Sequence, residues 1–121
     1  MDATIMSLMR PDIRLAEGGR SELRFEARPE FTIPGGSVQG GIVAVWLDMA
    51  MAVAGEGSFS TADLQLQILR PVREGPFDAL GSIVREGRRI VFAEAELRAP
   101  DGTVLARGRQ TAVPVAQTPA P

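Results

Sequence analysis

The longest apolar stretch of the chain runs from Val38 to Gly55 and predicts a single helix. Large apolar side chains occur on every side of this helix, and Asp48 is its only ionisable residue. A helix that is apolar all round is buried, either in a protein core or in a membrane. The run is shorter than the ~20 residues that a membrane span needs, and Asp48 interrupts it. We therefore expect a central helix that the rest of the chain surrounds.

The other predicted elements are strands, which alternating apolar and polar positions indicate. In residues 22–28, Leu23, Phe25 and Ala27 alternate with charged residues. Four more strands are predicted after the helix, and Pro100-Asp101-Gly102 is a strong turn signal between the last two. Because short connections produce hairpins, we expect these four strands to be antiparallel. Their predicted bounds are 61–69, 77–86, 89–98 and 103–113.

This order of elements predicts an α+β fold in which a curved antiparallel sheet of about five strands wraps around one long central helix. One end and one flank of the helix would remain uncovered, so we expect a homodimer to complete the core. Residues 1–113 are predicted to form a single domain that begins with an irregular segment, 1–20. Within that segment, residues 4–9 could form a short helix or a strap across the sheet. Residues 114–121, rich in proline, are predicted to be a loose tail.

The amino-acid composition limits which side chains can act in catalysis or binding. With 13 basic and 15 acidic residues, the chain shows no bias toward nucleic acid or an acidic membrane surface. It contains neither His nor Cys, which excludes Ser-His-Asp triads, thiolate nucleophiles and nearly all zinc sites. We expect no metal and no cofactor, so carboxylates, hydroxyls, amides, backbone N–H groups and Arg must supply the chemistry. Residues 1–10 show no signal-peptide pattern, and a cytoplasmic location is expected.

Two features of the central helix are candidates for that chemistry. A buried carboxylate is costly unless it is paired or hydrogen-bonded, which singles out Asp48. The helix also opens with Gln39, Gly40 and Gly41. The first N–H groups of a helix lack intrahelical partners and lie at the positive end of its dipole, so they can polarise a carbonyl oxygen or hold an anion. Tight packing of the helix entry explains the two glycines equally well.

The stretch Q-G-G-I-V-A-V-W-L-D-M-A, residues 39–50, resembles the H-G-G-x-x-x-x-L-x-D-x-A signature of small acyl-CoA thioesterases with the hot-dog fold. These are the thioesterases of the phenylacetic-acid-pathway and 4-hydroxybenzoyl-CoA group. Three other stretches are similar to the family's pattern, and the resemblance covers roughly residues 20–113. These stretches are residues 60–66, Leu69-Arg70-Pro71 and residues 106–109.

The resemblance implies hydrolysis of a medium-chain or aromatic acyl-CoA to the free acid and CoA. Asp48 takes the position of the family's nucleophile or general base, and Gly40 that of the N–H donor to the thioester oxygen. Thr61 aligns with a Ser or Thr that contacts the water or the acid in some members. The family builds its site across a dimer interface, so Asp48 would serve the Gly40 of the partner subunit. The implied assembly is a dimer that pairs further into a dimer of dimers.

Two departures from the family pattern leave a second interpretation open. Gln39 replaces the family's His and can still order the loop by hydrogen bonding. Ile33 stands where the family usually has an Asn or Gln that orients the water or the acid. Either Gln39 or Thr61 takes over that task, or the protein is a non-catalytic acyl-CoA-binding or regulatory protein. A hot-dog hydratase or dehydratase ranks last, because that class generally needs a His.

Several further residues are candidates for binding the substrate. Gly41 would let the ligand approach the helix start, and Trp46 is either core packing or one wall of the acyl pocket. Arg70, Arg88 and Arg89 are either solvated or grip the phosphates of CoA, a task that suits Arg.

Overall fold

The computed structural model describes residues 3–115. In that part of the chain there are two α-helices and six β-strands, with a short 3₁₀ turn at Pro29–Phe31. The helices are α1 (Ile5–Met9) and α2 (Gly40–Ala54), and the strands are β1 (Asp12–Glu17), β2 (Arg20–Ala27), β3 (Phe59–Ile68), β4 (Gly75–Glu86), β5 (Val91–Arg98) and β6 (Val104–Pro114).

The strands form one antiparallel sheet in the order β1-β2-β4-β5-β6-β3, and α2 packs against its inner face. The predicted α+β architecture, with a sheet around a single long helix, is confirmed. No helix within residues 3–115 is both long and apolar enough to cross a membrane.

The apolar character of α2 explains its central position. Trp46 is completely buried, and its ring lies 5.9, 6.1 and 5.6 Å (centroid to centroid) from the rings of Phe25, Phe31 and Phe77. Such aromatic clusters bury large apolar areas and favour tilted and edge-on contacts like these. The predicted helix is confirmed to within two residues at its start and one at its end.

Contacts at Ala50 set the distance between α2 and the sheet. The buried Ser21 hydroxyl of β2 donates a hydrogen bond of 2.6 Å to the Ala50 carbonyl oxygen. A Cβ added to Gly81 of β4 would overlap that same oxygen. The helix backbone therefore lies directly against the sheet at this point.

The expectation of an irregular segment is wrong for the described part of residues 1–20, because residues 5–9 form α1 and residues 12–17 form β1. The possible short helix at residues 4–9 is confirmed, with a capping box between Thr4 and Ser7. Nearly all of β1 is exposed, so neither face imposes an alternating pattern on its sequence. Gly18 and Gly19, with φ of 61° and 74°, form the turn that pairs β1 with β2. The sheet consequently has six strands rather than about five.

The prediction that β3 forms a hairpin with β4 is also wrong. β3 pairs with β6 and forms one edge of the sheet, and the connection after it leads to β4 between β2 and β5. Leu69 N–H donates to the Leu105 carbonyl oxygen at 2.8 Å, which holds the start of this connection against β6. Within residues 3–115, the other edge of β3 pairs with no strand.

The prediction of a loose tail from residue 114 is wrong for residues 114 and 115. Pro114 is the last residue of β6, and Val115 N–H donates to the Ser58 carbonyl oxygen at 3.0 Å. The rest of that prediction, residues 116–121, lies outside the described residues.

The outer face of the sheet, opposite α2, is mostly polar. Arg24 makes two hydrogen bonds to Asp78, at 3.0 and 3.1 Å, between neighbouring strands. Hydrogen bonding to Asp78, and then the charge of that carboxylate, raises the pKa of Arg24 further above its usual value.

Candidate active site

Asp48 is half-buried on α2 and faces strands β3 and β6. Its Oδ1 accepts hydrogen bonds from the Thr61 hydroxyl at 2.9 Å and from Gln110 Nε2 at 3.2 Å. The Thr61 hydroxyl also lies 2.8 Å from Gln110 Oε1, which closes a ring of three side chains. Within residues 3–115, Asp48 Oδ2 has no hydrogen-bond partner. One carboxylate oxygen is therefore held, while the other is available.

A β-bulge brings Thr61 to this site. Thr61 pairs with Ala112, and Asp63 pairs with Thr111, so the register shifts between Thr61 and Asp63. Without the bulge, strict alternation would turn Thr61 to the outer face of the sheet. With it, the Thr61 side chain points inward toward Asp48. The Thr61 hydroxyl therefore contacts Asp48, and its role in catalysis stays a prediction.

Gln110 is the residue of the ring that the sequence analysis missed. It is 3% exposed and follows Ala106 and Gly108 on the inward-facing positions of β6. A polar side chain at an inward position of a strand needs a buried partner, because burying it unpaired is costly. That position in the alternation of β6 is the signal that could have identified Gln110.

The start of α2 offers two free N–H groups. Gln39 caps the helix, and its side-chain Oε1 accepts a hydrogen bond from Ile42 N–H at 3.2 Å. The chain between residues 3 and 115 provides no acceptor for the N–H groups of Gly40 and Gly41. A Cβ on Gly41 would lie 2.7 Å from Gln39 Oε1, so a larger residue there would displace the side chain that caps the helix. Both N–H groups are thus available to a ligand.

Asp48 and Gly40 of one chain do not meet. Asp48 lies eight positions after Gly40 on the same helix, which corresponds to ~12 Å along its axis. Gly40 lies near the end of β3, since a Cβ placed on it would be 3.4 Å from Ile68 Cδ1. Asp48 lies near the other end of the same strand, at Thr61. The two predicted catalytic groups therefore occupy opposite ends of β3.

The remaining candidates lie away from this ring. Trp46 is 0% exposed within the aromatic cluster, which agrees with core packing and leaves it no accessible surface as a pocket wall. Arg70 follows β3, whereas Arg88 and Arg89 lie in the turn between β4 and β5, and all three are exposed. In the described part of the chain none of them forms an ion pair.

Ile33, which stands where the family usually has an Asn or Gln, is exposed to solvent. Ile33 is 45% exposed in the loop before α2, where its backbone bonds to Ser37 and Gly36. The side-chain amide next to Asp48 comes instead from Gln110, at the other end of the chain. Between residues 3 and 115 no three His, Cys, Asp or Glu side chains cluster in a way that could hold a metal ion.

Comparisons with known proteins identify the family. The family model of the thioesterase superfamily matches residues 35–106. A protein of Saccharolobus solfataricus named "putative esterase" is 30% identical over 96 residues, which cover 75% of this chain and 69% of that protein. A second protein of that organism with the same description is 32% identical over 89 residues, and the match spans just over half of its length, 55%.

Solved structures show the same architecture. A "putative thioesterase" related to phenylacetic acid degradation from Ralstonia eutropha is 28% identical, with a TM-score of 0.83 over 90% of this chain and 88% of that one. The PaaI protein of the Escherichia coli phenylacetic acid degradation operon shares the fold at 17% identity, with a TM-score of 0.87 over 94% and 86%. The protein has the hot-dog fold and is a thioester hydrolase. The chain belongs to the thioesterase superfamily.

Proposed function

We propose that the protein is an acyl-CoA thioesterase that hydrolyses a medium-chain or aromatic acyl-CoA to the free acid and CoA. The observation that carries the proposal is Asp48, a half-buried carboxylate held through Oδ1 alone, on a helix whose N-terminal N–H groups are free. The link of the Ralstonia eutropha relative to phenylacetic acid degradation supports an aromatic acyl group. An acyl-CoA substrate also favours a cytoplasmic location.

Thioester hydrolysis needs a nucleophile or base and a donor for the developing oxyanion. In our proposal, Asp48 Oδ2 either attacks the thioester carbonyl or removes a proton from the water that attacks it. Gly40 N–H, assisted by Gly41, donates a hydrogen bond to the carbonyl oxygen. The bond between the carbonyl carbon and sulfur then breaks, and CoA leaves as the thiolate. If Asp48 acts as the base, the proton it took from water passes to this thiolate. If Asp48 attacks directly, water then hydrolyses the anhydride between Asp48 and the acyl group and releases the free acid. Thr61 orients the carboxylate, and Gln39 keeps the donor loop in place.

A two-fold dimer through β3 would assemble these groups. β3 is an edge strand, and the backbone groups on its outer side can pair with another strand. In an antiparallel pair of two β3 strands, the Thr61 end of one lies opposite the Ile68 end of the other. The Asp48 of one subunit would then approach the Gly40 of its partner, which a single chain cannot achieve.

The same arrangement suggests where the acyl group binds. The inward-facing side chains Leu64 and Leu66 of β3 are only half-buried, and Ile68 is 44% exposed. In the dimer these apolar residues would face the substrate between the two helices. We propose that they contact the acyl group, while Arg70, Arg88 and Arg89 contact CoA phosphates. The polar outer face, including Gln65 and Gln67, is available for pairing of dimers.

The exposed Ile33 favours a second candidate, an acyl-CoA-binding protein without rapid turnover. Ile33 offers no amide to orient water, although the family usually has one at this position.

The test is hydrolysis of a panel of aliphatic and aryl acyl-CoAs, followed with a thiol-trapping reagent. We expect Asp48→Asn to lower kcat by at least ~100-fold, because the base or nucleophile is lost. Asp63→Asn is the matched control, since this neighbouring carboxylate on β3 lies outside the ring and should leave kcat unchanged.

Turnover that survives Asp48→Asn would contradict the assignment of Asp48. A wild type that hydrolyses no substrate, but whose melting temperature rises with acyl-CoA, would support the binding protein instead.

A further inference from the structure

The buried amide of Gln110 is the polar group closest to Asp48 that the mechanism above leaves without a task. We infer that Gln110 is a positioning residue that fixes the Asp48 carboxylate through Oδ1 and thereby directs Oδ2 toward the substrate. This inference rests on the proposed function of Asp48.

The contacts of Gln110 support this role. Its Nε2 donates to Asp48 Oδ1 at 3.2 Å, and its Oε1 lies 2.8 Å from the Thr61 hydroxyl. The side chain is 3% exposed, so water cannot replace these partners. A carboxylate that is hydrogen-bonded on one oxygen by two neighbours, from two different strands, has a restricted orientation. A reacting group must be held in the orientation that the reaction needs, and these two hydrogen bonds hold the Asp48 carboxylate in this way.

The chemistry of the ring explains why an amide suits this position. The Thr61 hydroxyl has a single proton and two acceptors within reach, Asp48 Oδ1 at 2.9 Å and Gln110 Oε1 at 2.8 Å. It donates to Asp48 while the carboxylate is ionised, and it can turn to Gln110 when Asp48 holds a proton. Only a side chain with both a donor and an acceptor serves the two states. Methionine has neither group, and glutamate lacks the donor.

The fold leaves room for this side chain. Gln110 pairs with Leu64 on one side and Ala93 on the other, and the next inward positions of β6 are Gly108 and Ala112. Small neighbours allow the long amide to reach α2. Gln110 thus provides from β6 the amide that position 33, an exposed isoleucine, cannot provide.

Kinetics of Gln110→Met test the role, because methionine keeps the length and loses the hydrogen bonds. We expect kcat to fall by about 10- to 100-fold with little change in KM, since misplacing a reacting group affects the chemical step. In an Asp48→Asn background the same change should have no further effect on kcat. Glu17→Met, at an exposed position of β1 that does not contact Asp48, is the control.

A readout independent of turnover comes from crystal structures of wild type and Gln110→Met. We expect one orientation of the Asp48 carboxylate in the wild type and more than one in the variant. If the wild type hydrolyses no thioester, the proposed function fails, while these structures still decide the role of Gln110. If Gln110→Met does not fold, Gln110→Glu takes its place in both experiments.

Three results would overturn the inference. These are an unchanged kcat in an active enzyme, a loss that persists in the Asp48→Asn background, or an unaltered Asp48 orientation in the variant structure.

Discussion

Individual small residues decide how α2 lies on the sheet. Gly81 allows the Ala50 carbonyl to contact β4, and the Ser21 hydroxyl donates to that same carbonyl at 2.6 Å. Because the contact is with helix backbone rather than a flexible side chain, neither partner can move away alone. Contacts to one carbonyl oxygen therefore hold α2 against the sheet at Ala50, two residues after Asp48.

We predict that Gly81→Ala destabilises the protein by about 1–3 kcal/mol, because the added methyl group forces α2 away from β4. Urea unfolding and thermal melting measure this change. Ser82→Ala, at the next residue of β4 but on the outer face, is the control and should have a much smaller effect. Equal stability of the two variants would show that the helix adjusts freely.

At the scale of elements, the N-terminus of α2 has a free backbone N–H at Gly40 and a backbone conformation that would also accept proline. Gly40 is the first helical residue, and Gln39 before it has φ −62° and ψ 135°. Proline is favoured at the first helical position, and this conformation of the preceding residue is compatible with it. A substitution can therefore remove the N–H while keeping the helix.

We predict that Gly40→Pro lowers kcat by about 10²- to 10³-fold, as expected for the loss of one oxyanion donor. Circular dichroism and the melting temperature should remain close to those of the wild type. Gly40→Ala is the matched control, because it keeps the N–H and its Cβ would make an ordinary 3.4 Å contact with Ile68. Similar kcat values for the two variants would exclude Gly40 as the donor.

At the scale of the whole molecule, β3 lies at the edge of the sheet, where our proposal places the contact that completes the active site. Asp48 and Gly40 lie at opposite ends of this strand, and only a second chain can bring the two groups together. The proposed site therefore belongs to the assembly rather than to one subunit.

Mixing two inactive variants tests this point. Asp48→Asn and Gly40→Pro, unfolded together and refolded, should form hybrid dimers in which one of the two sites is intact. Random pairing in a two-fold dimer then predicts recovery of about one quarter of the wild-type activity. Each variant refolded alone is the control. No recovery, with hybrid dimers demonstrated by mass spectrometry, would mean that each site lies within one chain.

The features that could be predicted from the sequence depend on local patterns. α2 was predicted nearly to its bounds because burial on all sides leaves an apolar run, and β2 and β5 because one face of each is buried. Asp48 was identified because a single carboxylate within an apolar helix needs a partner. Gln39 at the helix start was placed correctly because N-terminal caps are local.

Other features depend on contacts between distant parts of the chain, and only the tertiary structure revealed them. β1 carries no pattern because it is nearly all exposed, and β3 pairs with β6 rather than with the strand that follows it. One hydrogen-bond partner of Asp48, Gln110, lies 62 positions further along the sequence. Strand order and such pairings result from packing the whole sheet around α2, and periodicity within one segment contains no information about which distant segment it will meet.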